Sequence, residues 1–348
     1  MCRSDPATFW PMQNLQKRNR KNGHERGKMM KTLMVREMIS QGISSHRLRG
    51  LLGSVLVVLV GTPSAGMAHG QLFVANWSSG TIGEYTTSGA TVNAALVSGL
   101  SKPYGLALDG NGHLFVANLS LGTIGEYTTS GTMVNAALVS GLNTPLGLAL
   151  DRSGYLFVVN NANGTIGEYT TSGATVNASL ISGLNYPLSL ALDGNGHLFV
   201  ANAGNGTIGE YTTSGATVNA SLISGLSGLW GIAADGDGHL FVSSVVNDTI
   251  GEYTTSGATV NAALVSGLSK PYGLALDGDG HLFVASALSG TIGECTTSGA
   301  IVDTSLISGL IGGPTFMAVE APEPSSAVLS VLGLALLTFL HMKRRARV

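Results

Sequence analysis

The stretch PYGLALDGNGHLFVANLSLGTIGEYTTSGTMVNAALVSGL, residues 103–142, contains four short runs that are typical of β-strands. The runs 104–109, 113–118, 123–129 and 133–140 are apolar or alternate apolar with polar residues, and Gly-rich turns separate them. Four strands within about 42 residues are the pattern of one β-propeller blade. A solenoid is the structural alternative, but its repeats usually carry one to three elements in fewer residues.

The unit recurs six times without an insertion or a deletion. LFVAN or a close variant begins every 42 residues, at Leu72, Leu114, Leu156, Leu198, Leu240 and Leu282. The array starts with a second strand, 71–76, and finishes with a lone first strand, 314–320. These two segments are expected to pair and complete the first blade, which leaves no open edge between the terminal blades. We therefore predict an all-β, six-bladed propeller of four-stranded antiparallel blades over residues 69–320.

The repeated segment PYGLALDGNGHLFVAN resembles NHL-type propeller repeats, and the likeness spans residues 71–320. The resemblance implies the fold but says little about function, because such propellers serve as scaffolds, binding platforms, lactonases and lyases.

Charge is distributed unevenly along the chain, although the formal net charge is only −2. Residues 69–320 contain three basic against sixteen acidic residues, a net charge of −13. This negative charge argues against a nucleic-acid partner, because proteins bind nucleic acids largely through basic contacts to phosphates. The two cysteines, Cys2 and Cys295, are too far apart in sequence to suggest a disulfide framework or a cysteine metal site.

Residues 1–68 have the layout of a basic leader followed by a secretory signal peptide. Eleven Lys or Arg residues lie in this segment, and LLGSVLVVLV at 51–60 is a continuous apolar run. GTPSAGMA follows and ends in small residues, so we expect a signal helix with cleavage after Ala68. The protein is therefore predicted to be exported.

Residues 321–348 form a tail with three parts. These are Pro322, Glu323 and Pro324 in the motif 322–326, an apolar span at 327–342, and a basic end at 343–348. The span is short for a transmembrane helix, which needs about 20 residues, and the basic end favours the cytoplasmic side. The tail resembles the PEP-CTERM sorting signal of Gram-negative bacteria. An ordinary membrane anchor with a chance Pro-Glu-Pro triplet is the alternative.

That resemblance implies an exosortase-like sorting enzyme as a partner and transient anchoring in the inner membrane. The final location is then the cell envelope, the cell surface or the extracellular space.

The loops are expected to fall on two faces, because strand direction alternates within each blade. One face carries nearly identical turns, DGNG or DGDG and TTSGA. The other carries second-to-third-strand loops that differ, from NWSSG to SVVND, and connections that differ, from LSKPYG to LSGLWG. We call these the uniform face and the variable face, and we expect any binding site on the variable face.

The residues that open the inner strands are expected at the mouth of the central channel. They are Tyr104, Leu146, Leu188, Trp230 and Tyr272, with Tyr186 and Trp77 nearby. Exposed aromatic side chains offer flat apolar area with a polar edge, which suits a sugar ring or an extended polymer. We therefore predict ligand contact by the aromatic members of the set. The alternative is that these side chains plug the channel and pack on neighbouring blades.

Repeated ionisable residues are predicted to be structural. Asp109, Asp151, Asp193, Asp235 and Asp277 end the inner strands, where Asp usually bonds its own turn, although such a ring is also a weak candidate for Ca²⁺. Histidines start second strands, too far apart to share a metal, at His113, His197, His239 and His281. One Glu per third strand is expected to be solvated or edge-facing, at Glu84, Glu126, Glu168, Glu210, Glu252 and Glu294.

No catalytic residue is predicted, because near-identical blades supply little of the asymmetry that an active site needs. The resemblance implies that enzymatic six-bladed relatives place acidic, Asn or His ligands at the channel mouth, where this chain has Tyr, Leu and Trp. The predicted function is a non-catalytic binding or scaffold module without a cofactor, for envelope polysaccharide or surface proteins. The alternative is a metal-assisted lactonase or lyase.

Overall fold

The structure is a computed structural model that describes residues 70–320. The predicted signal helix with Ala68, the sorting motif at 322–326 and the predicted transmembrane helix lie outside the described residues. Within the described residues, no helix is both long enough and apolar enough to cross a membrane.

Residues 70–320 form 24 strands in six four-stranded antiparallel sheets, with one 3-10 turn at Asn161–Asn163. Blade 1 contains β1 (Gln71–Asn76), β2 (Thr81–Thr86) and β3 (Thr91–Val97), and blade 2 contains β4 (Pro103–Leu108), β5 (His113–Asn118), β6 (Thr123–Thr128) and β7 (Met133–Val139). Blade 3 contains β8 (Pro145–Leu150), β9 (Tyr155–Asn160), β10 (Thr165–Thr170) and β11 (Thr175–Ile181), and blade 4 contains β12 (Pro187–Leu192), β13 (His197–Asn202), β14 (Thr207–Thr212) and β15 (Thr217–Ile223). Blade 5 contains β16 (Leu229–Ala234), β17 (His239–Ser244), β18 (Thr249–Thr254) and β19 (Thr259–Ser266), and blade 6 contains β20 (Pro271–Leu276), β21 (His281–Ser286), β22 (Thr291–Thr296) and β23 (Ile301–Ile307). The last strand, β24 (Pro314–Glu320), returns to blade 1.

The ring closes in the predicted way. Strand β24 pairs antiparallel with β1, with Met317 opposite Val74, so the sheet order of blade 1 is β24-β1-β2-β3. The Thr315 hydroxyl donates to the carbonyl of Ala75 at 3.2 Å and lies 3.4 Å from the carbonyl of Pro103, so it joins β24 to β1 and to β4 of blade 2. The predicted all-β, six-bladed propeller of four-stranded antiparallel blades is thereby confirmed for the described residues.

The core lies between neighbouring blades, because each sheet is covered on one face by the preceding sheet and on the other face by the following sheet round the ring. Phe199 of blade 4, for example, packs with Leu240 and Val242 of blade 5. The equivalent side chain of every second strand is buried, at Phe73, Phe115, Phe157, Phe199, Phe241 and Phe283. The repeated LFVAN motif is therefore the source of the inter-blade packing.

Glycine near the start of the inner strands brings neighbouring strands into backbone contact around the axis. A Cβ added at Gly105 would lie 2.2 Å from the carbonyl oxygen of Leu146, and one at Gly231 would lie 2.3 Å from that of Tyr272. Real Cβ atoms do not approach other atoms so closely, so these positions need glycine for spacing. Blade 4 has Ser189 at the corresponding position, where the side chain is buried.

A tyrosine ring covers the glycine of the TIGEYT motif in blades 1 to 5. In blade 4, a Cβ at Gly209 would lie 2.8 Å from Cε2 of Tyr211. In blade 6 the tyrosine is replaced by Cys295, whose buried thiol lies 3.5 Å from the carbonyl oxygen of Leu282. Burial raises the pKa of this thiol to about 11, so it is protonated at neutral pH. The glycine of this blade, Gly293, has no ring above it.

This difference gives a matched pair of substitutions. Gly209→Ala is expected to lower the free energy of unfolding by about 1–3 kcal/mol, because a rigid ring must move. Gly293→Ala is expected to change it by less than about 1 kcal/mol, since its Cβ would come no closer than 3.2 Å to the carbonyl of Thr304. Urea unfolding of the two variants measures the difference. Equal losses in the two variants would show that the tyrosine ring is not the reason why this position requires glycine.

Candidate functional site

The variable loops and blade connections converge on one cavity of about 480 Å³. Trp77, Tyr104, Tyr186, Trp230 and Tyr272, the five aromatic residues predicted from the sequence, all line it. Leu146 and Leu188 line it as well, together with Ser78, Leu119, Thr144, Asn161, Ala287, Gly312, Gly313 and Thr315. The prediction that the inner-strand openings meet at the channel mouth therefore agrees with the geometry.

The aromatic side chains are not equivalent. The rings of Trp230 and Tyr272 are stacked, with centroids 4.3 Å apart and planes 12° apart, and both residues are half-buried. Tyr104 is buried and packs at a tilt against Phe316, with centroids 5.3 Å apart. Tyr186 is 59% exposed. The cavity thus has a stacked pair in its wall and a free aromatic face at its rim.

The structure divides the aromatic set into buried and exposed residues. Tyr104, Leu146 and Leu188 belong to the hydrophobic core, as the plug interpretation expected. Tyr186 and Trp77 are exposed beside them, and ligand contact by these two residues stays a prediction.

The polar groups of the cavity wall include the phenol of Tyr104, the indole of Trp230 and the amide of Asn161. Burial raises the pKa of Tyr104 far above that of an ordinary phenol, so its hydroxyl keeps its proton. The indole N–H of Trp230 lies near this hydroxyl but makes no hydrogen bond of good geometry and is buried. The Asn161 amide is already used, since its Nδ2 donates to the carbonyl of Pro187 at 2.9 Å.

The connection before each inner strand carries a residue with a left-handed backbone. The six equivalent positions, with their φ angles, are Lys102 at 54°, Thr144 at 56°, Tyr186 at 53°, Gly228 at 61°, Lys270 at 51° and Gly312 at 100°. The carbonyl of this residue accepts a backbone N–H from a neighbouring loop, as in Leu119 N to Lys102 O at 3.2 Å. A non-glycine residue pays about 1–2 kcal/mol for this conformation. Four of the six positions therefore present a side chain at a conformational cost.

We call these six equivalent positions the rim positions. Sequence reasoning missed most of them, including Thr144 and Lys102. Thr144 lines the cavity, and the ammonium of Lys102 lies 4.8 Å from the ring centroid of Trp77, in a cation–π contact. The available signal was the residue before Pro-Tyr-Gly, Pro-Leu-Gly or Pro-Leu-Ser, which varies between Lys, Thr and Tyr while its neighbours largely repeat.

At the opposite, uniform face, the aspartates that end the inner strands serve their own turns. Asp109 Oδ1 accepts the backbone N–H of Asn111 at 2.7 Å and of His113 at 3.0 Å, and Oδ2 lies 2.8 Å from Nδ1 of His113. The same arrangement recurs in the pairs Asp235–His239 and Asp277–His281, at 2.8 Å and 2.6 Å. These histidines are part of the turns, in agreement with a structural role.

Two of the aspartates depart from this pattern. Asp151 has Tyr155 in the place of the histidine, and in blade 4 the histidine is His197, whose Nδ1 lies 2.9 Å from Glu210 and 3.8 Å from Asp193. Among residues 70–320, no three His, Cys, Asp or Glu side chains are placed to hold a metal ion. Calcium binding by the aspartate ring stays a prediction.

The glutamates of the third strands are less exposed than predicted. Glu84 and Glu210 are buried, and the other four are half-buried. The third strand is an interior strand of its sheet and its faces are covered by neighbouring blades, so the side chain is largely shielded from solvent. Burial raises the pKa values of Glu84, Glu168 and Glu294, the last two with help from neighbouring carboxylates.

In the pairs Asp109–His113 and Asp277–His281, the pKa values of both partners are shifted. Burial alone would raise the carboxyl pKa values of Asp109, Asp235 and Asp277, but the hydrogen bonds from the histidine and the turn outweigh it and hold them below the ordinary value. The hydrogen bond to the aspartate raises the pKa values of His113 and His281.

We expect these pairs to stabilise the fold most between about pH 4 and pH 6.5. A histidine with a raised folded-state pKa contributes fully below its unfolded pKa, and the contribution disappears as pH rises through the folded value. An aspartate with a lowered pKa loses its contribution as pH falls through the folded value. Replacing His113 and His281 together by Gln should reduce the fall in melting temperature above about pH 6.5. An unchanged pH profile would contradict this role.

Comparison with solved structures shows the propeller fold. The chain is similar to a chain of the nidogen/laminin complex, with 16% identity, a TM-score of 0.61, and coverage of 73% of this chain and 99% of the other. It is similar to virginiamycin B lyase from Staphylococcus aureus, with 19% identity, a TM-score of 0.54, and coverage of 75% and 91%. A gluconolactonase from Xanthomonas campestris gives 15% identity, a TM-score of 0.55, and coverage of 73% and 86%.

Sequence comparison gives a more specific result than fold comparison. No curated protein matches the sequence. The profile of the virginiamycin B lyase family matches residues 43–295, which is more than half of the chain. The chain therefore belongs to the virginiamycin B lyase family.

Proposed function

We propose that this protein is an exported, non-catalytic binding module whose cavity on the variable face holds an envelope polysaccharide. One observation carries the proposal: five aromatic side chains from separate blades line a single cavity of about 480 Å³. The stacked Trp230–Tyr272 pair and the exposed ring of Tyr186 offer flat apolar faces for sugar rings. The hydroxyl groups of Tyr186 and Thr144, which line the cavity, supply hydrogen bonds at the edges of those faces.

Export and surface sorting belong to the same proposal. The signal peptide with cleavage after Ala68 and the tail with its motif at 322–326 are the supporting features. An exosortase-like enzyme is the proposed partner of that tail, and surface proteins are a second class of partner for the propeller.

Membership in the virginiamycin B lyase family favours a second candidate, a metal-assisted lyase or lactonase. Two of the similar structures are a lyase and a gluconolactonase, so the comparisons lean towards an enzyme. One neighbour is described as a catalytically inactive His-to-Ala variant of the staphylococcal lyase with quinupristin, so a histidine is required in that protein.

The chemistry of the cavity favours binding over conversion. Its described lining residues are aromatic, aliphatic, hydroxyl-bearing, amide or glycine side chains. The four histidines of residues 70–320 start second strands on the uniform face, and His113 and His281 are hydrogen-bonded to aspartates of their turns. A general acid or base must reach the reacting atoms, and these side chains are on the face opposite the cavity.

The test is a glycan array probed with the exported protein and with two single-tyrosine variants. Tyr186→Ala removes the exposed ring at the cavity and is expected to abolish or strongly weaken glycan binding. Tyr155→Ala is the control, because Tyr155 is 37% exposed and opens β9 on the uniform face. If both variants still bound glycans, the proposed binding site on the variable face would be wrong. A stoichiometric metal ion in the purified protein would favour the enzyme.

A further inference from the structure

The positive charge of the propeller is concentrated on the face that carries the cavity. Residues 70–320 contain three Lys or Arg residues, Lys102, Arg152 and Lys270, against sixteen acidic residues. Lys102 and Lys270 occupy equivalent connections on the variable face, at two of the six left-handed rim positions. Arg152 lies on the uniform face, in the turn between β8 and β9, with its guanidinium beside Gly194.

The order of the strands places the two lysines on the same side of the cavity. Lys102 precedes β4 and Lys270 precedes β20, and both of these inner strands pack against β24. The two lysines therefore flank the blade 1 connection, where Gly312 and Gly313 line the cavity and present no side chain. Three residues at equivalent rim positions, Thr144, Tyr186 and Gly312, line the cavity directly.

Neither ammonium is neutralised by a carboxylate within the described part of the chain. Both lysines are exposed, and no Asp or Glu oxygen among residues 70–320 forms an ion pair with either. The ammonium of Lys102 lies over the ring of Trp77 at 4.8 Å. The carboxylate of Asp248 accepts the backbone N–H of Lys270 at 3.0 Å, not its side chain.

Lysine at these positions is not needed by the backbone. Gly228 and Gly312 adopt a left-handed conformation at the equivalent positions of blades 5 and 1, and they do so without steric cost. Two lysines adopt a strained conformation in a domain with a net charge of −13. This indicates that their positive charge has a function.

We propose that the ligand of the cavity is an acidic saccharide, a sugar chain that carries carboxylates. This deepens the proposed function and rests on it. The sugar ring stacks on the aromatic wall of Tyr186, Trp230 and Tyr272, and a carboxylate lies on the blade 1 side between Lys102 and Lys270. The acidic body repels a densely charged polyanion, so the favoured ligand carries isolated carboxylates rather than a charge on every unit.

The experiment compares neutral oligosaccharides with uronate counterparts of the same linkage, titrated against the exported protein by calorimetry. At low salt we expect the uronates to bind about tenfold more tightly. Lys102→Gln and Lys270→Gln should each weaken uronate binding about threefold to tenfold and should weaken it more than neutral binding. Arg152→Gln removes the same charge from the uniform face and should change neither. Raising the salt concentration should reduce the preference for uronates.

The outcomes separate this inference from the proposed function. Equal affinity for neutral and acidic sugars, or equal losses in the Lys102, Lys270 and Arg152 variants, would overturn the acidic ligand and leave sugar binding intact. Binding of neither class would overturn both. Lys102→Gly is a second variant that keeps the fold, since glycine already stands at the equivalent position in two blades. It should weaken uronate binding as much as Lys102→Gln does.

Discussion

Gly105→Ala is expected to destabilise the propeller by about 3 kcal/mol or more. The added Cβ would lie 2.2 Å from the carbonyl oxygen of Leu146 and 2.9 Å from the amide nitrogen of Leu148. Both contacts are with the backbone of the next inner strand, so no side-chain rotation relieves them. The strands would have to separate, and in a closed ring that displacement spreads to the other blades. Urea unfolding monitored by tryptophan fluorescence measures the loss.

Ser189→Ala is the matched control for this substitution. Ser189 occupies the corresponding position in blade 4 and already carries a Cβ, although it is 1% exposed. Removing its hydroxyl should change the free energy of unfolding by no more than about 1 kcal/mol. If Gly105→Ala were as mild as Ser189→Ala, the inner strands would not be in the close contact described here.

Replacing Trp230 and Tyr272 together by Ala is expected to weaken glycan binding by about 30-fold to 1,000-fold, equivalent to about 2–4 kcal/mol. The two stacked rings form one wall of the cavity, and their loss removes that apolar face. Calorimetric titration of the variant measures the affinity. Because both residues are half-buried, a melting curve must show that the variant is folded.

Trp230→Phe separates stacking from hydrogen bonding. Phenylalanine keeps an aromatic face above Tyr272 but has no N–H, so a small loss would assign most of the affinity to stacking. The expected loss is about tenfold or less. Unchanged glycan binding by the double alanine variant would show that these two rings do not contact the ligand.

The fold could be predicted from the sequence because its determinants are local and repeated. The 42-residue period, the Gly-rich turns and the Phe of each LFVAN motif specify one blade and its packing. Closure was predictable as well, since the repeat array starts at a second strand and ends at a first strand. The β1–β24 pairing confirms this reasoning, with Met317 opposite Val74.

The site was only partly predictable, because its details depend on contacts between blades. The five aromatic residues were identified from their position in the repeat, but their burial was not. Tyr104 is buried against Phe316 of blade 1, a residue that is 212 positions away in sequence and replaces Leu in the repeat. The exposure of the glutamates was predicted wrongly for the same reason, as Glu84 and Glu210 are covered by neighbouring blades.

The rim positions were missed because their importance lies in a backbone angle. Lys102, Thr144, Tyr186 and Lys270 all have φ between 51° and 56°, which no composition or periodicity reveals. Only when the six connections are compared in three dimensions do two lysines appear on one side of the cavity.

Family membership and fold do not decide between binding and catalysis, because propellers of one fold serve many functions. The decisive measurement is chromatography with mass spectrometry of ligands incubated with the exported protein. These are acidic oligosaccharides and quinupristin, each with and without added divalent metal. We predict that the oligosaccharide is retained by the protein and recovered with unchanged retention time and fragmentation, and that quinupristin is unchanged too. Turnover of either compound, abolished by substitutions in the cavity, would contradict a non-catalytic binding module and establish the enzyme.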